Sequence, residues 1–159
     1  MNNMFAYCSS LTSLDVTNSK TDKVTNMDCI IVEWPSLTSL DVSIFKTNKV
    51  TDMGAMFVGT GLTSLNVSNF KTGNITITNA MFEGCFKLTS LDLSNFNTDK
   101  VTNIDYMFYN SSKLIKLNFK NLFISLVDNY YIFHDCKSLK YIGFSNVSVS
   151  VSFFLLLLL

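Results

Sequence analysis

The side chains able to do chemistry stand in register along this chain. Ser13, Ser39, Ser64 and Ser90 share one position of a recurring hexapeptide, where a fifth copy carries Lys116. Two residues on come Asp15, Asp41, Asn66, Asp92 and Asn118, and two further on Thr17, Ser43, Ser68 and Ser94. Laid side by side, such copies turn each position into a column, and the columns into a strip of hydroxyls, amides and carboxylates. That chemistry recognises rather than breaks bonds. Asp15 and Asp41, stacked at the roughly 5 Å spacing of adjacent strands, repel each other, and a cation or a partner's lysines would relieve the repulsion. The candidate binding residues are therefore Ser13, Asp15, Ser39, Asp41, Ser64, Asn66, Ser90, Asp92, Lys116 and Asn118. Lysines form a second array, with Lys20, Lys46 and Lys71 in one register and Lys23, Lys49 and Lys100 in another. They read as a solvated edge that keeps neighbouring molecules apart.

Catalysis has little to draw on. His134 is the single histidine and stands beside Asp135. A nucleophile, a base and an orienting group must converge on one point, whereas repeats distribute like residues along a line. The chain has neither a glycine-rich phosphate loop nor paired Cys and His at zinc spacing. The expectation is a non-enzymatic protein with no cofactor and no metal site. The 12 basic residues balance 12 acidic ones and all are lysine. Without arginine there is no bidentate fork for phosphate or base edges, which argues against nucleic acid as a partner. Cys8, Cys85 and Cys136 share one register with Trp34 and Ser111. Two or three coils apart, they lie beyond the ~7 Å reach of a disulfide and are expected as small buried residues.

The elements that would position these columns follow from the period. The copies open at Leu11, Leu37, Leu62, Leu88, Leu114 and Leu139, spaced 26, 25, 26, 26 and 25 residues apart. A fixed period of this size marks a repeat array in which each unit stacks on its neighbours. The opening segment, as in Leu88-Thr-Ser-Leu-Asp-Leu93, ends in the in-out-in alternation of a half-buried strand. It places Leu14, Leu40, Leu65, Leu91 and Leu117 in one buried ladder. Phe45, Phe70, Phe96, Leu122 and Val147 recur eight residues after the opening leucine. Later in the repeat the period changes: Met53, Met56, Phe57 and Thr60, like Ile104, Met107, Phe108 and Ser111, fall at i, i+3, i+4 and i+7. That spacing predicts a two-turn helix, with Thr25, Thr51 and Thr102 as N-caps and Asp28 and Asp105 near the positive end of its dipole.

The fold class expected is an α/β solenoid, a leucine-rich-repeat-like right-handed coil with one parallel sheet and short helices opposite. Its strands fall near 12–16, 38–42, 63–67, 89–93, 115–119 and 140–144, and its helices near 26–34, 52–58, 78–84, 103–110 and 129–135. The competing form replaces those helices with turns or 3₁₀ segments, giving an all-β solenoid with 3₁₀ turns. Residues 1–146 form the single repeat array of about six units, and 147–159 an apolar tail that is not a separate domain. The tail's closing run Phe153–Leu159 is too short to span a bilayer. The chain starts within a repeat and shows no signal peptide, so it reads as part of a longer parent whose neighbouring repeats are its immediate partners.

The stretch Met81-Phe-Glu-Gly-Cys-Phe-Lys-Leu-Thr-Ser-Leu-Asp-Leu-Ser-Asn-Phe-Asn-Thr-Asp-Lys-Val-Thr-Asn-Ile104 resembles the BspA-like leucine-rich repeat family in its mycoplasma-type, 26-residue surface-protein form. The resemblance covers residues 1 to about 146. It implies a bacterial surface protein or lipoprotein, at the cell surface or secreted, with proteins or glycans of another cell or the matrix as partners. The expected function is protein–protein or adhesive contact through the strand face. The alternative is a structural stalk without a ligand of its own. Ordinary leucine-rich repeats carry an inward Asn or Cys where this chain has Phe, and Asn69, Asn95, Asn121 and Asn146 fall one place earlier. A continuous buried asparagine ladder is not expected.

Overall fold

The computed structural model describes residues 1–120, 131–144 and the backbone of 147–150. The repeats stack in parallel, so that backbone groups about one period apart bond to each other from Asn3 to His134. One sheet runs through the C-terminal half, in the order β1 (Ser90–Leu93), β2 (Lys116–Phe119), β3 (Tyr141–Phe144) and β4 (Val147–Ser150). β1, β2 and β3 pair in parallel with Leu91, Leu117 and Ile142 in line. β4 turns back and pairs antiparallel to β3. The antiparallel return covers the edge at which parallel pairing would otherwise continue.

The α/β solenoid is overturned, because no helix occurs among the described residues. The segments expected as helices near 26–34, 52–58, 78–84 and 103–110 are runs of turns, as is 131–135; residues 129 and 130 lie outside the described residues. The reason is visible in the hydrogen bonds. A helix needs each N–H for its own carbonyl four residues back. Here alternate amides reach sideways instead: Met27, Cys29, Ile31 and Glu33 donate to the carbonyls of Asp52, Gly54, Met56 and Val58 in the next coil. Every fourth residue adopts a left-handed conformation, as at Cys29 and Glu33, Ala55 and Gly59, Ala80 and Gly84, and Tyr106 and Asn110. Two such turns in succession still bury Met27, Ile30, Ile31 and Trp34. The spacing i, i+3, i+4, i+7 is therefore shared by a short helix and this double turn. Thr25, Thr51 and Thr102 therefore cap no helix: the Thr51 and Thr102 hydroxyls, like that of Thr76, each donate to the backbone carbonyl of their counterpart one coil earlier.

Turns stand where the competing form put turns or 3₁₀ segments, but its continuous sheet is not met: the first three expected strands do not form. Between residues 38–42 and 63–67 the parallel bond is that of the Thr63 amide to the Thr38 carbonyl. The leucine ladder is corrected with it. Leu91 and Leu117, within strands, are buried, whereas Leu14, Leu40 and Leu65 are only partly covered and pack at the margin of the core. Without ladder pairing, the coils leave these side chains open from the strand side.

The core runs along the stack as columns of like residues. Phe57, Phe82, Phe108 and Phe133 stack at centroid distances of 5.8, 5.5 and 5.7 Å with planes within 12° of parallel. Phe108 also meets Phe119 of β2 edge-on at 6.0 Å, which joins the turn side to the strand side across the core. Phe45, Phe70 and Phe96 form a second buried column. The left-handed alanines yield a stability prediction. A Cβ in that region costs about 1–2 kcal/mol, part of which is offset by the greater chain entropy of glycine. Ala80→Gly, at φ 53°, is expected to raise stability by about 0.5–1 kcal/mol in urea titration. Destabilisation would show that the methyl group's packing outweighs its strain.

Candidate functional site

The strand side carries the predicted binding columns. Ser13, Ser39, Asp41, Ser64 and Asn66 line, with Leu14 and Leu40, a shallow depression of about 420 Å³ across the first three coils. Ser64 and Asn66 continue, with Ser90, Asp92, Ser94 and Asn95, into a second of about 320 Å³. Both open where ladder pairing is missing. Asp15 is exposed on the first coil outside either depression. Lys116 and Asn118 lie on β2, opposite Ser90 and Asp92 of β1. The structure thus brings the candidate residues onto one side, in the expected columns.

Each acidic or amide residue of the column also has a local task. Asp15, Asp41, Asn66 and Asp92 accept the backbone N–H two residues on, at 2.9, 2.8, 3.0 and 2.9 Å. These are side-chain turns that end the segment. They account for the recurrence of Asp or Asn at this place independently of any ligand. The N–H of Thr17, and then its hydroxyl, hold the Asp15 carboxyl below its usual range; for Asp41 the Ser43 hydroxyl leads and the N–H follows. No group of three or more His, Cys, Asp or Glu side chains able to hold a metal ion occurs among the described residues.

Three polar columns inside the stack form hydrogen bonds that their recurrence in the sequence did not reveal. Thr21, Thr47 and Thr72 are buried, and their hydroxyls accept the amides of Lys46, Lys71 and Asn97 in the next coil at 2.7, 2.6 and 2.7 Å. They had the look of loop residues, though their recurrence every 25 or 26 positions was the available signal. Asn69 and Asn95 each point an amide at three carbonyls of the preceding coil, Asn95 at those of Val67, Ser68 and Phe70. The expected break in an asparagine ladder thus holds only for its usual place, because these residues bind the preceding turn from one position earlier. The third column is that of the cysteines. Trp34, Cys85, Ser111 and Cys136 all donate to one equivalent carbonyl of an earlier coil, respectively that of Phe5, Phe57, Phe82 and Phe108. What that register requires is a donor, and indole, thiol and hydroxyl all serve.

The four cysteines are free. Burial pushes the Cys85 thiol up to about 12, and the Cys29 and Cys136 thiols up to about 11. Because the folded thiols hold their protons longer than the unfolded ones, the native state gains no advantage from alkali. Stability is expected to be complete below about pH 9 and to fall as pH rises toward 12. Cys85→Ser, a replacement that Ser111 already makes in the same register, should flatten that decline in melting curves taken between pH 8 and pH 11. An unchanged alkaline slope would assign it to other groups.

The comparisons place the chain. A family model described as "Mycoplasma protein of unknown function, DUF285" matches residues 1–39 and 33–144. The chain belongs to this mycoplasma repeat family. Searches of curated proteins and of solved structures return no match. No helix among the described residues is long and apolar enough to cross a membrane.

Proposed function

We propose that this chain is a non-enzymatic module of a surface-exposed mycoplasma repeat protein of BspA-like character, which contacts proteins of another cell or of the matrix through its strand side. The observation that supports this reading is the continuity of the two depressions over Ser13, Ser39, Asp41, Ser64, Asn66, Ser90 and Asp92. A hydroxyl-rich strip repeated at coil spacing suits many weak contacts acting together, with avidity supplied by repetition. The alternative, a stalk without a ligand, draws on the turn-ending role of Asp15, Asp41, Asn66 and Asp92, which a spacer would need equally.

Panning the purified chain on immobilised extracellular-matrix proteins separates the two. The triple variant Ser39→Lys, Ser64→Lys, Ser90→Lys keeps the fold plausible, since Lys116 occupies the same register. Capture by wild type and loss of capture by the variant, at equal melting temperature, is the expected outcome. Capture of neither would favour the stalk.

A further inference from the structure

The last two coils carry an exposed aromatic cluster on the turn side, across the core from β2. Tyr106 and Tyr131 stack at 5.6 Å, and Tyr109 and His134 stack at 5.5 Å with planes 14° apart. Tyr106 meets Tyr109 edge-on at 5.7 Å, and Tyr131 meets His134 edge-on at 5.1 Å. The four rings thus form a square with sides of 5.1 to 5.7 Å. Tyr106 and Tyr131 remain 39% and 52% exposed. A polar edge adjoins it, where Asp135 contacts His134 Nδ1 at 3.3 Å and Lys137 Nζ at 3.5 Å.

Two features mark this square as more than leftover surface. Tyr106 and Tyr131 both adopt φ of 58°, a conformation unfavourable for a bulky side chain. The same register holds Ala55 and Ala80 in earlier coils, at φ 51° and 53°. The fold therefore needs only a methyl group there, and the tyrosines are superfluous to it. Aromatic rings held open at strained positions are the kind of feature that indicates a site.

We propose that Tyr106, Tyr109, Tyr131 and His134 form a binding platform for a neutral pyranose unit of an oligosaccharide. A pyranose is amphipathic in the matching sense. Its C–H face stacks on an aromatic ring of similar width, while its equatorial hydroxyls meet donors and acceptors at the rim. The Asp135 carboxylate accepts such a hydroxyl, and the Lys137 ammonium donates to one. Their charges offset each other, which favours an uncharged sugar over a sulfated or sialylated one. The site is independent of the strand-side contact proposed above.

The test is an NMR titration of the full chain with cellotetraose, chitotetraose and lactose, following the Tyr and His134 ring protons. At least one sugar is expected to shift these signals at low-millimolar concentration. Tyr106→Ala and Tyr131→Ala should each weaken that binding about tenfold without changing the melting temperature. Tyr141→Ala, on the strand side, should leave binding as it was. The proposal is overturned if no sugar perturbs the ring protons, or if binding persists in both alanine variants. It is overturned equally if Tyr141→Ala abolishes binding, which would place the sugar on the strand side.

Discussion

Phe82→Ala is expected to lower unfolding stability by about 3–5 kcal/mol, the range for truncating a buried phenylalanine. Phe82 is fully buried and lies between two parallel rings, Phe57 at 5.8 Å and Phe108 at 5.5 Å. Removing it deletes apolar contact on both sides and opens a cavity that two coils border. Repacking is restricted, because backbone bonds join the same segment to the coil beyond, from the Phe82 amide to the Met107 carbonyl at 2.9 Å. Each coil gains its stability from its neighbours, so the damage should spread. In urea titration the midpoint should fall, and the transition should broaden as the two halves unfold separately. Tyr106→Ala, in the exposed column, serves as the comparison and should cost little. Equal losses for both variants would contradict the assignment of the phenylalanine column to the core.

Gly61→Ala should be nearly as damaging for the opposite reason. The spacing from Leu37 to Leu62 is one residue shorter than that from Leu62 to Leu88, and the shortening falls between Thr60 and Leu62. Gly61 alone connects them where the neighbouring coils use Pro35-Ser36 and Phe86-Lys87. The shorter path draws Gly61 against the previous coil, with its amide 3.0 Å from the Trp34 carbonyl. A Cβ here would sit 2.0 Å from the Pro35 carbonyl oxygen. That neighbour is backbone and cannot rotate away. The expected loss is roughly 3 kcal/mol, at the upper end of overpacking effects. Gly73→Ala, where a Cβ meets nothing within 4 Å, should be close to neutral. A Gly61→Ala protein as stable as wild type would mean that the coils can separate locally at this point.

The core residues of the turn side could be read without coordinates, and the backbone joining them could not. The recurrence of Met53, Met56 and Phe57 at helical spacing identified side chains that are indeed buried. Spacing reports which residues share a face, and a double turn with left-handed residues at every fourth position shares faces as a helix does. The difference lies in where the amides go, and Ala55 donating to the Asn79 carbonyl of the next coil is a long-range bond. Local propensity gives no warning of it, because alanine is a good helix former that tertiary contacts here hold at φ 51°. The leucine ladder failed for a related reason. Leu65 and Leu91 stand in the same register of near-identical hexapeptides, yet Leu91 lies in a paired strand and Leu65 beside an open depression.

The candidate strand-side residues were legible because a repeat turns sequence register into spatial columns whatever the backbone between them does. Ser39, Ser64 and Ser90 had to align once the coils stacked. The buried threonines and the donor column were harder to see, since Thr47 resembles a loop residue until the Lys71 amide of the next coil is found on its hydroxyl at 2.6 Å. Period, stacking and the apolar columns of the turn side were thus determined by the sequence alone, because they depend on recurrence and apolarity. Whether the coils join through helices, strands or turns was decided by tertiary structure. A backbone N–H of the turn runs can bond within its own turn or to a carbonyl of the next coil, and only the assembled stack brings the second within reach.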